Sequence, residues 1–501
     1  MLAFGFDHTY ARDLPGASVA WRPAAVPSPR LLFLNEPLAH ELGLDVAALR
    51  AADAAAIFAG NAPPTDAQPI AQAYAGHQFG GFSPQLGDGR ALLLGELVDR
   101  RGQRRDVAFK GSGRTPFSRG GDGKAAVGPM LREALIGEAM HALGIPTTRA
   151  LAVAATGEPV YRETALPGAV LTRVAASHLR VGTFQFFASR GDLPTLRRLL
   201  DYTIARHDPA LRDAPEPPLA LLRAVARRQA ALVAQWMNVG FIHGVMNTDN
   251  MALSGETIDY GPCAFMEAYD PAAVFSSIDH GGRYAYANQP HIARWNLARF
   301  AEALLPLMAS SDDEAAIQRA VAQVVEVIDA FPGWHAAELL QGQRAKLGLA
   351  AASAADDAQD TALAQDWLTL LHAQRADFTL AWRALADAAE GREDRLRGLL
   401  AEPRAADDWL ARWRRRLGRD DAAGGDAAAR AGRMRRASPW IIPRNHHVEE
   451  ALATATHGDL APFERLLAAL QRPFDESPEL ASFAEPAPAE LTAGYQTFCG
   501  T

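Results

Sequence analysis

Residues 91–98, ALLLGELV, and 106–110, DVAFK, are short apolar runs separated by a polar stretch around Gly102. Runs of this length bounded by turn residues predict an antiparallel strand pair, entered at an Asp88-Gly89 turn and left at Lys110. Upstream, LLFLNEPLAHELGLDVAALRAADAAAIFAG predicts a short strand and helices within a lead-in over residues 1–60. Downstream, GSGRTPFSRGGDGKAAVGP reads as a loop with six glycines and the cations Arg114, Arg119 and Lys124. A helix is predicted over 130–143, stopped by Gly144 with Pro146 beyond, and ALAVAATGEPVYRE and GAVLTRVA predict further strands of the same sheet. Beyond about residue 185 the strand pattern gives way to helical spacing, broken by HDPALRDAPEPP. A small hairpin is expected at 251–258, turning at Ser254-Gly255. Helical texture resumes from His291 to Trp440, with loops expected at AASAADDAQD and DDAAGGDAAARAG and an extended Pro-rich tail. No internal repeat is visible. The fold class expected is α+β, a sheet-bearing first part followed by a largely helical second part.

The chain has 501 residues and a mass of 53.7 kDa, long enough for two or three cores. Its 50 basic and 58 acidic residues give a net charge of -8, which argues against a general binder of nucleic acid or anionic membrane. No uncharged apolar run approaches the ~20 residues that span a bilayer, and the N-terminus lacks a charged and then apolar leader, so a cytoplasmic location is expected. Two cysteines, Cys263 and Cys499, make neither a disulfide framework nor a cysteine zinc site.

The chemistry concentrates in FIHGVMNTDNMALSGETIDYGP, residues 241–262. A His followed seven residues later by Asn, then Asp-Tyr-Gly, has the skeleton of a kinase catalytic loop and its metal-binding triplet. The position of the kinase catalytic Asp is Val245 here. Asp259 would chelate Mg²⁺, and Asn250, nine residues earlier, would supply the second metal contact. His243 reads as a brace for the backbone. Lys110 ends a strand like the one whose Lys holds nucleotide phosphates. Glu133 and Glu138 on the following helix are about 140° apart, so only one can face that Lys, and the apolar stripe favours Glu133.

YAGHQFGGFSPQLGDGRA, FKGSGRTPFSRGGDGKAAVGPMLRE, LTRVAASHLRVGTFQFF, GFIHGVMNTDNM, IDYGPCAFM and the ending FCGT together resemble the selenoprotein O family of kinase-fold enzymes, from about residue 30 onward. The resemblance implies a protein-kinase-like two-lobed fold, expected here as an N-terminal lobe over 1–185, a helical C-lobe over 186–440 and an extension over 441–501. It implies transfer of AMP from ATP to Ser, Thr or Tyr hydroxyls of other proteins, with Mg²⁺ or Mn²⁺ and with ATP bound in the reverse of the kinase orientation. The implied base is Asp249, so Val245 does not by itself mean an inactive protein. Arg173 and Arg180 match the family's phosphate-binding arginines, and Gly87, Gly89, Arg90, Lys110, Asp122 and Gly123 match its nucleotide-contacting positions. Cys499 stands where some members have selenocysteine, which suggests a reversible Cys263–Cys499 disulfide laying the tail over the cleft. Two rivals remain open at this point: a kinase transferring the γ-phosphoryl group, and a nucleotide-binding scaffold without activity.

Overall fold

In the computed structural model of the chain, residues 2–498 are described except 52, 310–312, 350–353, 423–425 and 493. Chain order gives β1 Ser18–Ala20, β2 Arg30–Leu34, β3 Ile70–Gln72, β4 Gly76–Gln78, β5 Gly81–Ser83 and β6 Ala91–Val98. The series continues with β7 Arg104–Lys110, β8 Ala125–Ala126, β9 Arg149–Tyr161, β10 Ala165–Ala175, β11 Phe241–Ile242 and β12 Ala264–Phe265. The main sheet runs β1-β3-β6-β7-β10-β9-β2, with β8 also on β10, and its neighbours pair antiparallel. Both faces are covered. Alternation along β7 sends Val107 and Phe109 into a core with Leu38, Leu49 and Phe58 of the lead-in. Ala108 points the other way, into the core of helix α1, Val127–Ala142.

The α1 helix is buried on nearly every side, its charged Arg132, Glu133 and Glu138 included, and each of these three meets a partner. It ends where Gly144 takes φ 77° and Ile145 N–H reaches back to Met140 O at 2.9 Å. After the sheet come α2 Val181–Ala188, α3 Leu193–His207, α4 Pro217–Asn238, α5 Gln289–Met308 and α6 Glu314–Leu347. Later helices gather a separate core around Trp367, Trp382, Trp409 and Trp413. Helices Asn445–Thr456 and Ala461–Leu470 return to cover α1, placing Val448, Leu452, Phe463 and Leu466 in its core. The molecule is thus mixed α/β, with the sheet in its N-terminal region and helices after it.

Three local expectations are corrected. Residues 251–258 do not pair as a hairpin. The chain turns one residue earlier than expected, at Leu253-Ser254, with Gly255 N–H bonding to Ala252 O at 3.2 Å, but Leu253 N–H bonds to Leu179 O at 2.9 Å and Thr257 N–H to Pro146 O at 2.9 Å, so each arm takes a distant partner. The loop expected over 351–360 is helical from Ala354, its residues 351–353 lying outside the described residues, and the one expected over 420–432 holds parts of two helices on either side of 423–425, which also lie outside them. The tail contains short helical turns at Ala481–Ala484 and Ala489–Thr492 before Thr497, which bridges Ser276. Among the described residues no helix is long and apolar enough to cross a membrane.

Candidate active site

Lys110 closes β7, and Arg173 lies near the end of β10. The register sets Arg173 opposite Ala108, two residues before Lys110, so both cations stand on the face covered by α1. There Lys110 Nζ meets Glu133 and donates to Asp259 Oδ1 at 2.5 Å. Arg173 Nη1 donates to the same Asp259 oxygen at 2.7 Å and lies 3.9 Å from Glu133 Oε2. Glu138 turns elsewhere, to Arg149, through contacts of 2.8 and 2.7 Å. Burial alone would push the Asp259 carboxyl up, but Lys110, Arg173 and Arg180 outweigh it and hold that carboxyl well below the usual range. Behind Arg173, Nε donates to His178 Nε2 at 3.3 Å, and His178 Nδ1 meets Asp106 Oδ2 at 3.0 Å. Burial drives His178 down to about 4. A neutral ring donating from Nδ1 to Asp106 therefore leaves Nε2 to accept from Arg173.

Arg180 occupies the residue before α2 and is 2 % exposed. Its guanidinium lies 4.5 Å over the Tyr74 ring, and Nη1 is 3.7 Å from Asp88 Oδ1. Nε and Nη1 have no hydrogen-bond partner. Burial raises the Asp88 carboxyl to about 6 against the pull of Arg180 and the Gln72 N–H.

Asp249 sits in a tight turn, Thr248–Asn250. Gln78 Nε2 donates to its Oδ2 at 3.1 Å, while Oδ1 has no partner. Burial raises this carboxyl too, to about 6. A Cβ at Gly76 would come within 2.6 Å of Asp249 Oδ1, so glycine at the start of β4 keeps that oxygen clear. The β4–β5 hairpin clamps this loop at two further points: His77 N–H donates to Thr248 Oγ1 at 2.7 Å and Phe79 N–H to Asn247 Oδ1 at 3.1 Å.

His243 is a buried brace. Its Nε2 lies 2.9 Å from Ile258 O, and Val245 N–H donates to Nδ1 at 3.4 Å, which fixes the chain just ahead of Asp259. That support matters because Asp259 holds φ at 65°, in the left-handed region few residues but glycine adopt. Asn250 Nδ2 donates to Val245 O at 3.1 Å, which leaves Oδ1 as its free ligand atom. Among the described residues no three His, Cys, Asp or Glu cluster to hold a metal. Asn250 and Asp259 carry oxygens of the kind a hard cation takes, one of them, Asp259 Oδ1, already receiving Lys110 and Arg173.

The remaining candidate positions lie on the loops around β6 and β7. Gly87 takes φ 79°, and a Cβ there would strike Phe117. Ser118 Oγ caps the Gly89 carbonyl, and Gly111 N–H bonds to Arg90 O at 2.7 Å. Gly123 packs so closely on Gly113 that a Cβ would fall 2.1 Å from its carbonyl oxygen. The Asp122 carboxylate is bound by Arg162 at 2.9 and 3.2 Å, an ion pair outside the Lys110 group. Sequence reasoning missed Tyr74, Gln78 and His178, and read Asp88 only as a turn residue. Cys263 is buried, its thiol directed at Tyr260 O at 3.4 Å and pushed up to about 11 by burial. Cys499 lies outside the described residues, so the expected pairing finds no support.

Buried guanidinium and ammonium groups beside oxygen donors for a hard cation, with an elevated carboxylate alongside, suit the phosphates of a nucleotide. Such a site belongs to the nucleotidyl- and phosphotransferases. Residues 9–471 match the family described as protein adenylyltransferase SelO. Similar proteins include two named protein nucleotidyltransferase YdiU, one from Cereibacter sphaeroides and one from Chromobacterium violaceum. The first is 60 % identical over 501 residues, all of both chains. The second is 61 % identical over 489 residues, 97 % of this chain and all of its own. A third of that name, from Rhizobium etli, is 57 % identical over 502 residues, covering all of this chain and 98 % of its own. The chain belongs to the protein adenylyltransferase SelO family and is a nucleotidyltransferase.

Proposed function

We propose that the protein moves AMP from ATP to Ser, Thr or Tyr hydroxyls of other proteins, on a kinase-like two-lobed fold with the nucleotide reversed relative to a kinase. The observation that carries this reading is Arg180, a buried guanidinium with two nitrogens lacking hydrogen-bond partners, in the electrostatic field of Asp88, Asp259 and Asp249. Lys110, Arg173 and Arg180 hold the polyphosphate, and Gly87, Gly89, Arg90, Asp122 and Gly123 shape the surrounding loops. Asn250 and Asp259 hold Mg²⁺ or Mn²⁺, which neutralises phosphate charge when bound. Asp249 accepts the proton of the acceptor hydroxyl as its oxygen bonds to the α-phosphorus, and the bond from that phosphorus to the departing pyrophosphate breaks. A carboxyl raised to about 6 is ionised at neutral pH and still basic enough for this role.

The test is incubation with a protein acceptor, Mg²⁺ and ATP labelled at the α- or the γ-phosphate, followed by intact-mass measurement. Label from the α position and a mass gain of AMP are expected. Label from the γ position would overturn the reading in favour of a kinase, and no label from either position in favour of a scaffold.

A further inference from the structure

The β4–β5 hairpin touches the Asp249 loop on its inner side and solvent on its outer side. Its inner contacts come from three successive residues, His77, Gln78 and Phe79, to Thr248, Asp249 and Asn247. Outward, it presents Phe79 at 41 % exposure and Phe82 at 43 %. Phe79 does so with φ at 50°, a conformation unfavourable for a bulky residue and kept only where its surroundings enforce it. The Phe79 ring rests 5.2 Å from that of Tyr284.

Beside the hairpin lies a cationic shelf. The Arg283 and Arg299 guanidiniums flank the Trp295 ring at 4.9 and 5.1 Å, and Trp295 meets His77 edge-on at 5.3 Å. Arg299 pairs with Glu302, whereas Arg283 has no carboxylate partner among the described residues. Ile278, on the loop leading to Arg283, is 46 % exposed. A guanidinium held by the Tyr284 and Trp295 rings with no carboxylate beside it, next to exposed apolar side chains, favours an acidic and partly apolar partner here.

We propose that the hairpin and the Arg283 shelf form the docking surface for the acceptor protein. The surface takes a segment with an apolar side chain and an Asp or Glu within a few residues of the accepting hydroxyl. The inference rests on the AMP-transfer reading above. The residues that hold the Asp249 loop from inside, Gln78 and Phe79, belong to the same hairpin whose outer face takes the segment, so the accepting hydroxyl has only to pass round the hairpin to reach Asp249.

The experiment measures AMP transfer to synthetic peptides holding one Ser flanked by Phe and Glu, and to counterparts with Lys for Glu or Ala for Phe. The parent should prefer the Phe/Glu peptide. Arg283→Glu should shift preference to the Lys peptide, and Phe79→Asn with Phe82→Ser should lower kcat/KM for the peptide about tenfold, with KM for ATP unchanged. Asn is chosen because it tolerates the left-handed backbone at position 79. A parent that ignores the flanking residues or labels no peptide, an Arg283→Glu variant that keeps the Glu preference, or a weakened hold on ATP in the variants would each overturn the proposal. A dimer seen by light scattering and dissolved by the Phe changes would assign the surface to a second copy and overturn it as well. Transfer of the γ-phosphoryl group with the peptide preference intact would sink the AMP reading and leave the docking surface standing.

Discussion

The charged centre has two differently finished sides. Around Lys110, each buried charge meets an opposite one: Glu133 and Asp259 receive Lys110, and Arg173 shares Asp259 while its far nitrogen rests on His178. Around Arg180 the accounting does not close. Two guanidinium nitrogens and Asp249 Oδ1 are buried without hydrogen-bond partners, Asp88 comes no closer to Arg180 than 3.7 Å, and Asp88 and Asp249 both have carboxyls raised to about 6. The first side is built for the fold as much as for a ligand. The second is left costly by the fold, and phosphate and acceptor groups would satisfy it.

Substitutions should separate the two sides. The largest effect is expected from Asp259→Ala, which leaves Lys110 and Arg173 buried beside a single remaining carboxylate. It should lower stability by about 3–5 kcal/mol in urea titration and abolish metal-dependent AMP transfer. Because Asp259 is held below the 3.8 of a free carboxyl, its stabilisation is present above that pH and is lost as pH falls through the lower folded value. Indifference of stability to this change would erase the distinction.

Asp249→Asn, on the other side, should cut turnover by ~10²–10⁴-fold while leaving ATP binding measurable by calorimetry. Here the sign reverses. A carboxyl at about 6 in the fold and 3.8 in the unfolded chain binds more protons when folded, so it subtracts stability as pH rises through that window. The variant should therefore be no less stable than the parent at neutral pH. Arg180→Ala should weaken ATP use by roughly 2–5 kcal/mol with little change in the urea midpoint, and Arg180→Lys should recover only part, since an ammonium lacks the fork of a guanidinium. The smallest effect belongs to Gln78→Ala. Its amide stabilises the Asp249 carboxylate, so its loss should move the acid limb of kcat/KM, expected near pH 6, upward by less than about one unit.

How much of this could be read beforehand depended on distance along the chain. The β6–β7 pair, the α1 helix and the divergence of Glu133 from Glu138 follow from local period and turn residues, which act within a few positions. The bracing role expected of His243 is also what its two backbone contacts display. What sequence reasoning missed was set by remote neighbours. Asp88 reads as a turn residue until Arg180 is found 3.7 Å away, and Gln78 has no visible purpose until the fold brings it to Asp249, 171 residues later. The misread hairpin at 251–258 failed for the same reason, because Leu179 and Pro146 outcompete the arms for each other.

The covering of α1 by Asn445–Thr456 and Ala461–Leu470 bears on how the molecule is made. Arg132, next to Glu133, reaches Glu449 across 317 residues of chain. At ~5–20 residues per second, the ribosome needs roughly 15–60 s to travel from one to the other. Throughout that interval the helix carrying Glu133 has its sheet but not its outer cover, so the side of the centre that is most completely paired in the finished protein is among the last to be sealed during synthesis.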